Sequence, residues 1–197
     1  MKRIPVLLFF ILSAVFTYGQ VVTITIESIP ENIDEFIELR SELAVTPEGG
    51  AAMFALAMLI LEQDSDFAMQ CFTVMLANDG TMLKDDPGGY KGYSPGNASM
   101  YHIDRLIERP WVSRSYVFGT SPSDNYRLET LPYEFKFIRN KYSEIEPDLI
   151  KVFIDCSGAG TPRPVTMQEN NRGIWKVKEF SSLSVGVRES KIIDDDL

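Results

Sequence analysis

Thr46-Pro47-Glu48-Gly49-Gly50 runs into Ala51-Ala52-Met53-Phe54-Ala55-Leu56-Ala57-Met58-Leu59-Ile60-Leu61, and the reading of this stretch decides the fold. Its opening is a helix start. Thr46 supplies a capping hydroxyl, Pro47 suits the first helical position, and Glu48 faces the positive end of the helix dipole. From Ala51 to Leu61 no residue is charged. A helix that is apolar on every side must be buried on every side. The run is too short for a bilayer, which takes about 20 residues. It is therefore expected as the central core helix of a globular domain, with other layers covering it.

The flanking sequence supplies those layers. Upstream, Val21–Ile26 alternates as an opening strand, and Ser28-Ile29-Pro30-Glu31 resembles the start of a short, half-exposed helix carrying Phe36, Ile37 and Leu39. Downstream, Asp64-Ser65-Asp66 caps a helix whose Phe67, Cys71, Val74 and Met75 share one face, and Asn78-Asp79-Gly80 ends it. Lys84 to Gly96 is too rich in glycine and proline for a helix or a central strand. A further helix follows Asn97 or Ser99, with Met100, Ile103, Leu106 and Ile107 inward, and stops at Pro110.

From Trp111 the period changes to two. Ser115-Tyr116-Val117-Phe118 reads as a strand. Tyr133, Phe135 and Phe137 form one face of another, and Ile150, Val152, Ile154 and Cys156 one face of the next. Val165 with Met167 and Trp175 with Val177 mark two more, joined by a hairpin turn over Glu169-Asn170-Asn171-Arg172-Gly173. Helices first and antiparallel strands after give an α+β fold, with N-terminal helices and a buried central helix packed on a C-terminal antiparallel sheet.

The first twenty residues bear on location. Lys2 and Arg3 precede an apolar run from Ile4 to Phe16, and Thr17-Tyr18-Gly19 sets small residues around a cut before Gln20. This is the layout of a cleaved secretory signal. No cysteine follows it to accept a lipid. The expected organisation is a signal peptide over 1–19, a single domain over 20–190 and an acidic tail over 191–197, exported to the periplasm or beyond the cell. No integral membrane segment is expected after cleavage. The formal charge of −9, from 28 acidic and 19 basic residues, becomes more negative once Lys2 and Arg3 are removed. That balance disfavours nucleic acid as a partner and leaves a protein or a glycan.

One string in the last third is distinctive. Lys151-Val152-Phe153-Ile154-Asp155-Cys156-Ser157-Gly158-Ala159-Gly160-Thr161-Pro162-Arg163-Pro164-Val165 is followed by Gly173-Ile174-Trp175-Lys176-Val177 and by Val185-Gly186-Val187. With Tyr116-Val117-Phe118-Gly119-Thr120-Ser121-Pro122 and Leu131-Pro132-Tyr133, it resembles the domain-of-unknown-function family 6935, a group of bacterial exported proteins, from about Gly80 to Val187. The resemblance implies a domain and no activity.

Candidate chemistry is sparse. His102 is the only histidine, and zinc takes about four ligands, or three plus water. No metal site or cofactor is expected. Cys71 and Cys156 lie on apolar faces, where thiols are inert; they are read as buried thiols, with a mutual disulfide as second choice. Ser157-Gly158-Ala159-Gly160-Thr161 leads into proline and a strand, unlike a phosphate loop. Acid pairs such as Glu144 with Glu146, or Asp85 with Asp86, are what a hydrolase would carry if they met in a cleft. No catalytic residue is assigned. The surface singled out is aromatic: Tyr90 and Tyr93 on the glycine-rich loop, with Trp111 and Tyr116 beside them, suited to stacking on a ligand. The expected function is a non-enzymatic binding or envelope-associated module, with a secreted hydrolase using cleft carboxylates as the alternative.

Overall fold

The computed structural model describes residues 19–190, so all but the last residue of the expected signal peptide (1–19) and the whole of the expected acidic tail (191–197) lie outside the described residues. In chain order the elements are β1 (Val21–Ile26), α1 (Ile33–Leu43), α2 (Pro47–Ile60), α3 (Ser65–Met75), β2 (Leu83–Tyr90), β3 (Tyr93–Pro95), α4 (Asn97–Glu108), α5 (Trp111–Arg114), β4 (Tyr133–Ile138), β5 (Glu144–Glu146), β6 (Leu149–Ile154), β7 (Arg163–Glu169) and β8 (Trp175–Glu179). The fold is α+β. No helix among the described residues is long and apolar enough to cross a membrane.

Every residue of α2 is buried. Thr46 caps it by accepting from the Gly49 amide at 3.1 Å, and Pro47 holds the first turn. The helix lies across β1, β6, β7 and β8, with α1, α3 and α5 against its other sides. Its close seat on the sheet depends on Gly50: a Cβ there would stand 2.6 Å from the Trp175 carbonyl oxygen. Phe54 is the aromatic centre, 5.3 Å from the Phe72 ring and 4.7 Å from that of Phe180.

The sheet is antiparallel in the order β1-β4-β6-β7-β8, with β5 pairing β6 beside β4. Its register stacks apolar residues on one face: Ile24 opposite Phe135, Val152 opposite Val165, Ile150 opposite Met167, and Met167 opposite Val177. Such cross-strand pairs are what fixes a strand register when one face is buried.

Four expectations need correction. The first helix starts at Ile33 rather than near Ser28, because the Asn32 side chain accepts from the Asp34 and Glu35 amides and the Glu35 carboxylate accepts from the Glu31 amide. Ile107 points outward, 51% exposed, while Ile103 and Leu106 carry the buried face of α4. Ser115 to Phe118 is not a strand. Ser115 Oγ donates to the Val112 carbonyl, and Thr120 Oγ1 to the carbonyls of Val117 and Arg114, so hydroxyls close turns where alternation suggested a sheet.

The fourth concerns Lys84 to Gly96. It holds a two-stranded hairpin, β2 with β3. The pairing passes from Asp85 opposite Tyr93 to Tyr90 opposite the same Tyr93, so Asp86 to Gly89 bulge out of register. Pro87 sits in that bulge, where no ladder hydrogen bond is required of it. Glycine and proline exclude a central strand and permit this ribbon.

Candidate functional site

The hairpin closes on Lys91 and Gly92, both with positive φ (53° and 83°), as a two-residue hairpin turn demands. This brings Tyr90 and Tyr93 together as half-buried neighbours on a ribbon that stands off the main sheet. They form a wall shared by two hollows. One, of about 640 Å³, lies toward α3 and the start of α4, with Asp66, Gln70, Thr73, Lys84 and Met100 around it. The other, of about 510 Å³, lies toward the turn between β7 and β8. Lys91 places its ammonium 5.2 Å from the Tyr90 ring centre, within the range of a cation–π contact.

The second hollow gathers Arg40 from α1, Lys91 from the hairpin, Arg172 from the β7–β8 turn and Lys176 from β8. Burial pushes Lys176 down to about 8, with Arg40 adding to the effect. Burial also lowers Arg40, with Tyr90 opposing and Arg172 reinforcing. Arg40 donates to the Val74 carbonyl at 3.2 Å, and its Nε is buried without a partner. Sequence reading missed these four, because each looks like an ordinary solvated cation. The one available signal was Lys176, set between the inward residues Trp175 and Val177 in the distinctive string.

The other two aromatic residues lie elsewhere. Trp111 begins α5, beyond the far end of α4, and α4 is 12 residues long, about 18 Å at 1.5 Å per residue. Tyr116 is 1% exposed and donates its hydroxyl to the Leu183 carbonyl at 2.7 Å. It is a core residue with a satisfied polar end and offers no face to a ligand.

His102 Nδ1 is 2.7 Å from Ser184 Oγ, which itself lies 3.1 Å from the Ser181 carbonyl. With the serine hydrogen on that carbonyl, the histidine donates to the hydroxyl. Burial lowers the His102 pKa, opposed by the charge of Glu179. Ser184 is fully buried. A nucleophile has to be reached by its substrate, so the pair acts as a clasp between α4 and the 3-10 turn over Ser181–Ser184. No group of three or more metal-ligating side chains occurs among the described residues.

Cys71 and Cys156 are both free and buried. Burial pushes the Cys71 thiol up, and Cys156 Sγ lies 3.3 Å from Ser115 Oγ. The Cys71 thiol is held away from the reactive thiolate form, and burial shields both sulfurs from reagents. Thiol reagents applied to native protein should therefore react far more slowly than after denaturation, with or without reductant. Rapid labelling of either cysteine in the folded state would contradict this placement.

Glu144 and Glu146 are exposed on β5 at the rim of a separate groove of about 860 Å³, which also has Val22, Ile24, Trp175 and Glu48 in its walls. Glu48 has both oxygens engaged: Arg139 Nε donates to one at 2.6 Å and Nη2 to the other at 2.8 Å. The carboxylates of this groove are thus one held in an ion pair and two solvated. Asp85 and Asp86 lie apart from it, on β2.

The family model described as "Domain of unknown function (DUF6935)" matches residues 28–191. The chain belongs to this family. The match reaches back through the N-terminal helices, well before Gly80, so the DUF6935 domain takes in every element of the α+β unit except β1 (Val21–Ile26). No curated protein and no solved structure matches it.

The distinctive string of this DUF6935 domain has a structural reading. Ser157 Oγ donates to the Ser115 carbonyl and lies 2.9 Å from Thr120 Oγ1. A Cβ at Gly158 would fall 2.5 Å from both Tyr126 Oη and a Val187 methyl, so only glycine admits that packing. Arg163 donates to the carbonyls of Val185 and Gly186 at 2.9 and 2.8 Å. The Arg188 amide donates to the Gly158 carbonyl at 3.0 Å. Serine, glycine and arginine here tie the C-terminal segment and the α5 turn to the sheet. Arg163 serves carbonyls, as its setting between two prolines suggests.

Proposed function

We propose that this DUF6935 protein is an exported, non-enzymatic binding module whose ligand, a glycan, lies against the Tyr90–Tyr93 hairpin. One observation carries the reading. Two half-buried tyrosines, held on a ribbon off the main sheet, wall two adjoining hollows of a size suited to a small ligand. Aromatic faces presented with polar neighbours are the usual means of stacking on a sugar ring. The hydrolase alternative is less well supported, because Glu48 is committed to Arg139 and its groove neighbours are exposed.

A glycan array probed with the labelled protein tests this. At least one saccharide class should be retained, and Tyr90→Ala/Tyr93→Ala should lose it at least tenfold while still unfolding in one cooperative transition. Retention of no saccharide, or retention indifferent to the double variant, would remove the hairpin as the docking surface. Export is tested separately by N-terminal sequencing of secreted material. The expected first residue is Gln20, and persistence of Met1 to Gly19 would refute it.

A further inference from the structure

We propose that the hollow between the β2–β3 hairpin and the β7–β8 turn is a site for an anionic group, a carboxylate or a sulfate, carried by the ligand that lies against Tyr90 and Tyr93. The inference rests on the hairpin reading and adds the charge of what docks there.

The argument begins from charge balance. Acidic residues outnumber basic ones 28 to 19, yet this hollow has Arg40, Lys91, Arg172 and Lys176 in its walls, and none of its lining residues is acidic. The four come from three separate parts of the chain: α1, the β2–β3 hairpin and the β7–β8 hairpin. Its other polar side chains include Asn78, Asn170 and Asn171, amides able to donate. The ion pairs found among the described residues belong to Arg114, Arg139 and Lys178; none belongs to these four. Lys176 also borders an adjoining hollow with Asp79 and Glu169, but Asp79 is committed to Lys178.

Clustered like charges without counter-charge oppose folding. A bound oxyanion supplies the missing counter-charge. The volume of about 510 Å³ accommodates more than an inorganic ion, and the tyrosine wall gives the rest of the ligand a surface.

Affinity electrophoresis at low salt tests the site with polygalacturonate, dextran sulfate and neutral dextran. The protein's own net negative charge opposes any non-specific retardation by polyanions. Wild type should be retarded by at least one polyanion and not by dextran, with retardation falling as salt rises. Polygalacturonate against dextran sulfate distinguishes carboxylate from sulfate. Arg172→Gln/Lys176→Gln should weaken binding at least tenfold. Lys91→Gln/Arg172→Gln, which changes only exposed residues, should do the same if the first variant is unstable.

Binding of neither polyanion by wild type, or equal binding by both charge variants, overturns the inference. The hairpin reading fails separately. If Tyr90→Ala/Tyr93→Ala binds polyanion as wild type does while the charge variants do not, the anion site stands without the hairpin. If a neutral glycan binds through the tyrosines and ignores the charge variants, the hairpin stands without the anion site.

Discussion

Leu56→Asp is expected to abolish the cooperative unfolding transition of this protein. Leu56 is fully buried within α2, and every residue of that helix is buried. An aspartate there loses the apolar burial of leucine, about 1.5–3 kcal/mol. It also places an unpaired polar or charged group in the core, for several kcal/mol more. Domains of this kind have total stabilities of about 5–15 kcal/mol, so one substitution removes most or all of it. Far-UV circular dichroism against temperature gives the readout. Ile107→Asp, on the exposed face of α4, is the matched control and should melt close to wild type. A soluble Leu56→Asp protein with a sharp melt would mean that α2 faces an interface rather than a core.

The same helix shows what a single sequence carries and what it cannot. Its cap, its first turn and its all-round burial follow from residues adjacent in the chain: a hydroxyl, a proline and an uninterrupted apolar run. Strands β4, β6, β7 and β8 were legible for a similar reason, because alternation maps directly onto one face of a sheet, whereas the three-residue β5, exposed throughout, carries no such pattern. Ser115 to Phe118 misled because alternation is necessary for a strand and not sufficient. Its hydroxyls had backbone partners within a few residues, and that local competition won. The hairpin was hidden by Pro87 and its glycines, which exclude a long regular strand but not a bulged ribbon.

The candidate site was half legible. Tyr90 and Tyr93 stood out because glycine-rich sequence around aromatic residues is locally unusual. Tyr116 lay in the same stretch of chain as Phe118, yet one is buried and the other exposed, and no periodicity separates them without knowing that the segment turns. Arg40, Arg172 and Lys176 are assembled only by the tertiary fold. The family string pointed elsewhere, to a clasp of Ser157, Gly158 and Arg163 that holds the C-terminal segment. Its specificity reflects packing at close quarters, where one added carbon has no room.

Arg139→Met should destabilise the protein by about 3–5 kcal/mol, the effect of leaving a buried charge without its partner. Glu48 is the one acid in the first turn of α2, and its side chain is 5% exposed. Its place at the helix start satisfies the dipole and would suffice for a surface residue. At this depth the carboxylate also needs hydrogen bonds, and Arg139, 91 positions away at the end of β4, supplies two of them. The pair thus links the start of the core helix to the sheet. If the loss in Arg139→Met comes from the orphaned carboxylate, then Glu48→Gln/Arg139→Met should recover a large part of it, because the double variant buries no charge. Urea denaturation of the two single variants and the double variant measures the coupling directly. Additive losses, with no recovery in the double variant, would show that Arg139 stabilises the fold through its other contacts and that the ion pair itself contributes little.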